Sequence, residues 1–195
     1  MNPVSPDFFR QSLTGMRLIL KPYDPVSHLH AIANIYSNPD FADSTGISNS
    51  RPVVSALIES KSKRMLRSDT GDWTIFLSNS KEMPIIGEAG IAMWDDEIFV
   101  AEIFCAIDPA RWGNGFGGES VSILLTHCFA ESPILTARIQ ALRSNVKSIR
   151  MAASLGFIES GTRSVQPELS RGFIGGMVSI MDLTLRNFNP FKLEE

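Results

Sequence analysis

Apolar and polar residues alternate along Met16–Tyr23 (MRLILKPY), a pattern that predicts a β-strand. The stretch before it, residues 1–15, carries Pro3, Pro6 and Gly15 and predicts an irregular lead-in. Asp24, the proline after it and apolar residues at helical spacing predict a helix over 24–38. Ser50 opens a second predicted helix, 50–68, whose second half is basic. Three β-rich runs follow, over 72–78, 83–94 and 98–109, joined by short polar turns, the second of them Asp95-Asp96-Glu97. They predict an antiparallel meander. A glycine-rich stretch then leads into a helix over 117–131, a strand over 134–142 and a helix from Asn145 to Leu155. Strands over 156–165 and 175–185 close the pattern, and the tail from 186 is expected to fray. The whole is α+β, an antiparallel half followed by a β-α-β crossover. It reads as one domain over 1–195, with its core in 15–185 and peripheral tails at 1–14 and 186–195.

Composition narrows the classes. With 44% hydrophobic and 20% charged residues, the chain has the make-up of a folded globular protein rather than a disordered one. A net charge of −3 lacks the basic excess that nucleic-acid binding calls for. No apolar run approaches the length of a membrane span, and the N-terminal residues lack the basic and apolar regions of a signal peptide. Cys105 and Cys128 both sit in apolar runs, which suits reduced thiols in a cytoplasm. His28, His30 and His127 lack metal-ligand spacing and cysteine neighbours, so no metal is expected.

The densest chemical signal is Arg111–Glu119, RWGNGFGGE, four glycines between an apolar strand and a helix. It satisfies G-x-G-x-x-G, the fingerprint of dinucleotide folds. Five residues, however, separate the strand from Gly113, and Arg138 stands where that fold places an acidic ribose ligand. A nucleoside-triphosphate loop would end in Gly-Lys-Ser/Thr, and GGES has no lysine. A plain glycine turn remains open beside a fourth reading, a strand–loop–helix that offers backbone N–H groups to a pyrophosphate. In that reading glycines allow close approach and the helix start adds its positive dipole end.

Together, DPARWGNGFGGESVSILL and ALRSNVKSIRMAASLGFIESG resemble the two signature motifs of the GNAT superfamily of acyl-CoA-dependent N-acyltransferases. Gly115 and Gly117 fall on the glycines of Q/R-x-x-G-x-G/A, and Asn145, Ser148 and Leu155-Gly156-Phe157 on those of the second motif. The first and third strand regions, GMRLILKPYDP and PIIGEAGIAMW, are similar to the ribosomal-protein N-terminal acetyltransferase branch. Two positions depart from the pattern. Trp112 fills the Q/R slot, with Arg111 just before it, and Ala152 stands where many members carry a tyrosine that protonates the leaving thiolate.

The resemblance implies a GNAT fold, a mostly antiparallel sheet splayed between two strands and flanked by helices. It implies acetyl-CoA as cosubstrate, its pyrophosphate on the loop of Arg111, Trp112, Gly113, Asn114, Gly115, Phe116, Gly117 and Gly118. The pantetheine arm would lie in the gap between the strands, against the backbone of Phe104, Cys105, Ala106 and Ile107 and against Asn145 and Ser148. A backbone N–H near Phe104 or Cys105 would polarise the thioester carbonyl. Lys147, Arg150 and Arg111 are candidates for the cofactor's outer phosphate.

For catalysis, Glu102 stands as a charge in an otherwise apolar strand, either the base that deprotonates the amine or a residue turned to solvent. Ser148, on the same helix face as Asn145, is the candidate acid or a packing residue. Asn145 serves as a helix cap and pantetheine ligand. Cys105 has no activating base beside it in sequence and reads as core, as do Met151, Phe157 and Trp94.

The acceptor is expected to enter over the first two helices and residues 161–177. A protein N-terminal α-amine is the first expectation, with polyamines, aminoglycosides and other small amines beside it. A homodimer is compatible with the resemblance. A non-catalytic acyl-CoA sensor on the same fold is the alternative that the vacant tyrosine slot motivates, and a nicotinamide-dependent enzyme is the third.

Overall fold

The computed structural model of the protein describes residues 4–64, 67, 69–78, 80–93, 99–167 and 175–189. The predicted turn at 95–97 and Trp94 lie outside the described residues, as do 168–174 of the acceptor segment and 190–195 of the tail. Among those described, eight strands form one sheet: β1 (Leu13–Thr14), β2 (Leu18–Pro22), β3 (Thr70–Leu77), β4 (Ile85–Met93), β5 (Val100–Ile107), β6 (Thr136–Leu142), β7 (Ile158–Val165) and β8 (Gly176–Thr184). Their order is β1-β2-β3-β4-β5-β6-β8-β7. All neighbours run antiparallel except β5 and β6. That parallel pair is joined by the crossover helix α4 (Phe116–Glu131), as the alternation of elements predicted.

Strand alternation sends successive side chains to opposite faces, and each face meets its own helices. On one face Ile103 and Ile107 of β5 join a core with Leu18, Trp73 and Ile91. Helix α4 buries Val121, Leu124, Leu125 and Cys128 there, spaced three and four residues apart. Helix α5 (Val146–Ser154) adds Ala152 and, just past its end, Leu155 follows. On the other face Ala106 of β5 joins α1 (Leu29–Tyr36), α2 (Pro39–Thr45) and α3 (Arg51–Arg64) through Ile32, Tyr36, Phe41, Val54 and Ile58. Fully burying one such side chain contributes roughly 1.5–3 kcal/mol.

Three expectations need correction. The lead-in is not irregular: Pro6–Arg10 forms a 3-10 turn whose Phe8 and Phe9 are 3% and 5% exposed in the main core, and β1 follows it. Large aromatics there outweigh the breaking effect of the prolines. The helix expected from residue 24 starts only at Leu29. Asp24 instead caps a turn, accepting from Val26 N and Ser27 Oγ, while its own N–H donates to the buried His28 Nδ1 at 3.0 Å. Finally, α2 was not predicted, because Phe41 is its only buried residue. Its punctuation is nevertheless present in sequence: Asn38 accepts from Asp40 N, Pro39 opens the helix, and Gly46 ends it at φ 73°.

β5 and β6 pair over three positions only, Val100↔Thr136 to Glu102↔Arg138. Beyond Glu102 they diverge, and the edge of β5 that β6 leaves faces a gap.

Candidate active site

The glycine loop leaves β5 through Asp108, which caps a 3-10 turn at Pro109–Arg111. Gly113 (φ 80°) and Gly115 (φ 77°) take left-handed backbone, a region costing other residues about 1–2 kcal/mol. Three of the loop's carbonyls are tied back by side chains. Asn114 Nδ2 donates to the carbonyls of Arg111 (3.0 Å) and Trp112 (3.2 Å). Arg17, just ahead of β2, donates from Nη1 to the Asn114 carbonyl at 3.0 Å. The Arg17 Nε and backbone N–H both go to the Glu119 carboxylate, at 2.8 and 2.7 Å. Its guanidinium also lies 4.7 Å over the Phe116 ring. With carbonyls tied back, the N–H groups at the start of α4 are left as the loop's free polar groups, since a helix's first turn has no internal acceptors for them. Arg17 is absent from the residues that the sequence marks. It sits 97 residues from its loop partner in a stretch with no motif.

These N–H groups open on a cavity of about 560 Å³. It is lined by Gly113, Gly115–Gly118 and three cations, Arg111, Lys147 and Arg150, with no carboxylate among the described lining residues. Lys147 Nζ lies 4.5 Å over the Trp112 ring. The indole N–H of Trp112 donates to the Ile107 carbonyl at 2.8 Å, so the residue in the Q/R slot braces the loop against the strand. Donors, helix dipole and cations together give this cavity chemistry that suits an anion.

A second cavity, of about 650 Å³, occupies the gap on the α1–α3 side. Tyr36, Phe41, Ile47 and Leu57 wall it on one flank, Gln140, Arg163, Val165 and Val178 on the other. These flanks come from the elements named above for acceptor entry, the two predicted helices and the segment after 161. The two cavities meet at Cys105, Asn145, Ser148 and Met151, which line both, as do Phe41 and Thr45 of the unpredicted α2.

Along the strand facing this junction, the expected backbone groups divide. Asp108 N donates to Ile86 O of β4 at 2.9 Å. Alternation therefore turns the groups of Phe104 and Ala106 to β4 as well, and those of Cys105 and Ile107 to the gap. The Ile107 carbonyl is taken by Trp112, which leaves Cys105 as the principal edge into the junction. Phe104 and Ala106 thus line the second cavity by side chain rather than by a free backbone edge. Phe104 fits because Gly90 lies beneath it; a Cβ there would stand 2.3 Å from its ring.

Glu102 lies in the second cavity, mostly buried rather than turned to solvent, and accepts from Gln140 Nε2 at 3.1 Å. Burial pushes its pKa above the usual carboxylate range, while the Gln140 hydrogen bond and the nearby Arg163 and Arg138 charges pull it back. Asn145 caps α5, accepting from Ser148 N at 3.1 Å, and Ser148 Oγ has no protein partner among the described residues. The Cys105 thiol is pushed up to about 12 by burial, which removes it as a nucleophile at neutral pH. Ala152 is fully buried and points into the core, so that slot offers no proton donor. Met151 is core only in part, since it also lines both cavities, whereas Phe157 is buried.

Behind the second cavity lies a charge cluster that the sequence reading passed over. Lys61 of α3 donates to Glu88 of β4 at 2.5 Å and lies 3.7 Å from Asp72 of β3. The Tyr36 hydroxyl also donates to Glu88, and Arg64 grips Asp72 through Nε and Nη2. Burial first, then Glu88, holds the Tyr36 pKa well above its ordinary value. Among the described residues no group of three or more His, Cys, Asp or Glu is placed to hold a metal, and no helix is long and apolar enough to cross a membrane.

A family model described as "Acetyltransferase (GNAT) domain" matches residues 17–158. "Uncharacterized N-acetyltransferase p20" of Bacillus licheniformis is 22% identical over 153 residues, 78% of this chain and 83% of that protein. Two solved structures share the fold. Mycobacterium smegmatis RimJ in complex with CoA-disulfide has a TM-score of 0.74 at 16% identity, over 94% of this chain and 90% of that one. Spermidine N-acetyltransferase from Vibrio cholerae in complex with CoA and spermine has a TM-score of 0.71 at 18% identity, over 88% and 97%.

Proposed function

The chain belongs to the GNAT acetyltransferase family and is an acyl-CoA-dependent acetyltransferase, and from this we propose that it moves the acetyl group of acetyl-CoA to a primary amine by direct attack. The observation that carries the reading is the meeting of two cavities at the β5–β6 splay, one an anion site, the other holding a buried carboxylate. Backbone N–H groups of 113–118 hold the pyrophosphate, Arg111, Lys147 and Arg150 the outer phosphate. Asn145 and the Cys105 edge hold the pantetheine arm, which a strand edge can pair as it would a peptide.

The acetyl thioester supplies the acyl group. Glu102 takes a proton from the incoming ammonium, freeing the nitrogen lone pair to attack the carbonyl carbon. The Cys105 N–H donates to the oxygen that gains charge, a contact of the kind typically worth about 3–4 kcal/mol of barrier. As the C–S bond breaks, its electron pair goes to sulfur; the nitrogen gives up its second proton to water, and the sulfur takes a proton from a water that Ser148 Oγ orients, or from Ser148 Oγ itself, which that water then reprotonates. A thiolate with a pKa of about 8.5 leaves with little help, so a buried Ala152 in the tyrosine slot does not stop turnover.

The acceptor we favour is a protein N-terminal α-amine or a small monoamine. Among the described lining residues Glu102 is the sole carboxylate of the acceptor cavity and shares that lining with two guanidinium groups, Arg64 and Arg163. A polyamine such as the spermine bound by the Vibrio cholerae neighbour would seek several carboxylates there.

Thermal melting with acetyl-CoA, CoA and NADPH in parallel tests the donor side. Acetyl-CoA at 100 times its Kd adds about 2.7 kcal/mol, roughly 5–10 °C for a domain of this size. Gly115→Glu should abolish the shift, because it sets a carboxylate into the anion site and a side chain where φ is 77°. Arg17→Met should leave a smaller shift, with acetyl-CoA Kd raised about tenfold as the Asn114 carbonyl is released. A shift with NADPH alone would defeat the assignment of the loop. CoA release with an N-terminal peptide and with spermine then tests the acceptor, and faster release with spermine would reverse our preference.

A further inference from the structure

Glu102 ends a chain of three side chains that spans four strands, β5, β6, β8 and β7, on one face of the sheet. Gln140 of β6 donates from Nε2 to Glu102 Oε1 at 3.1 Å, and Arg163 of β7 donates from Nε to Gln140 Oε1 at 2.9 Å. All three line the acceptor cavity. The sheet register explains the reach: Arg163 and Leu142 both lie opposite Val178 of β8, and Gln140 lies two residues from Leu142 on the same face.

Chemistry fixes the direction of the chain. A guanidinium has donors only and an ionised carboxylate acceptors only, so the amide between them must turn its oxygen to Arg163 and its NH₂ to Glu102. The flipped amide would set N–H against N–H and oxygen against carboxylate. The other cations on this side of the sheet are already matched. Arg138 of β6 donates to Asp182 of β8, and Arg64 of α3 to Asp72 of β3. α5 presents neutral Asn145 and Ser148, and β4 places Ala92 opposite Glu102. Arg163 has no carboxylate partner among the described residues; its side chain donates to the amide that points at Glu102.

We propose that Gln140 and Arg163 are positioning residues, a relay that holds the Glu102 carboxylate in place as the proton acceptor of the transfer. This rests on the reading of Glu102 as the base. The sign of the effect follows from what each group does. Burial, the largest influence, favours protonated Glu102, while the Gln140 N–H and the Arg163 charge favour the ionised form. Removing either raises the midpoint of Glu102 titration and carries the acid-side limb of the rate profile to higher pH. Arg163→Lys keeps both a charge and a donor for the amide oxygen, so it should restore what Arg163→Met loses.

The test uses the full chain labelled with ¹³C-carboxyl glutamate, the Glu102 resonance being assigned by its absence from Glu102→Gln. Its titration midpoint is read in the wild type, Gln140→Leu, Arg163→Met and Arg163→Lys, beside the pH profiles of kcat and KM. We expect the midpoint to rise by about half to one unit in Gln140→Leu and Arg163→Met, which is about a 3- to 10-fold drop in kcat on the acid limb. The KM for acetyl-CoA should not move, and Arg163→Lys should return the midpoint close to the wild type. Because Arg163 is exposed, its variants keep the test alive if Gln140→Leu fails to fold. An unmoved midpoint in Arg163→Met, or a lysine no better than methionine, overturns the relay. Failure of the base reading looks different: Glu102→Gln then keeps its kcat, while the resonance still reports whether the relay governs Glu102.

Discussion

Glu102→Gln is expected to lower kcat by about 10²- to 10⁴-fold while the melting shift with acetyl-CoA stays as in the wild type. The split follows from the geometry. Glu102 lines the acceptor cavity and is absent from the lining of the anion site, so removing its charge spares the donor side. Glutamine keeps the shape and takes away only the ability to accept a proton. The wild-type rate should also fall on the acid side at a pH above the ordinary carboxylate range. Burial raises the Glu102 pKa, the base works only when ionised, and activity is lost as pH falls through that raised value. Steady-state kinetics across pH with the best acceptor check both points. A loss smaller than about tenfold in Glu102→Gln would remove it as the base.

Lys61→Met is expected to destabilise the protein by about 3–5 kcal/mol, a large part of the 5–15 kcal/mol that folded domains typically have. At roughly 2–4 °C per kcal/mol for a chain of this size, melting should fall by about 6–20 °C. Lys61 is 2% exposed, and Glu88, its closest partner, 1%. Removing the cation leaves Glu88, among the described residues, with only the Tyr36 hydroxyl, and Asp72 with only the Arg64 side chain, in a region water does not reach. The aliphatic part of methionine fills the same path between the rings of Tyr36 and Phe104, so packing loss is small. Adding Glu88→Gln should recover a substantial part of the loss, because neutralising both partners removes the uncompensated charge. If Lys61→Met melts within about 2 °C of the wild type, roughly one kcal/mol or less, the cluster does not hold α3 to the sheet as described.

The cluster matters to the site because Tyr36, Arg64 and Phe104 also line the acceptor cavity. Its ion pairs fix the wall over which an acceptor must pass. In this protein the same cross-sheet contacts that order the core therefore shape the acceptor side, whereas the donor side is built largely from one contiguous loop.

That difference explains how much could be read from the chain. The crossover, the meander and the glycine loop are local, set by alternation, turn residues and glycines close together in the chain, and the structure has them where the pattern placed them. The cap of α5 by Asn145 is of the same kind. Elements with weak periodicity were less legible. α2 has one buried residue, and the lead-in hides two core phenylalanines behind prolines.

Long-range pairing decided the rest. Arg17 reaches the glycine loop, Gln140 and Arg163 reach Glu102, and none of the three carries a local signal. Glu88 and Glu102 show the division most directly. Each is a carboxylate inside an apolar strand, and by sequence pattern alone the two are equivalent. The sheet lays Glu88 beneath α1 and α3, where Lys61 and Tyr36 consume its charge. It lays Glu102 at the point where β5 and β6 part, where a neutral amide meets it and a cavity opens. Spacing along the chain determined that two carboxylates would stand inside apolar strands. Which of them found a cation, and which was left facing a cavity, was decided by the packing of helix residues 27 and 52 positions away in sequence, because charge compensation acts through space rather than along the backbone.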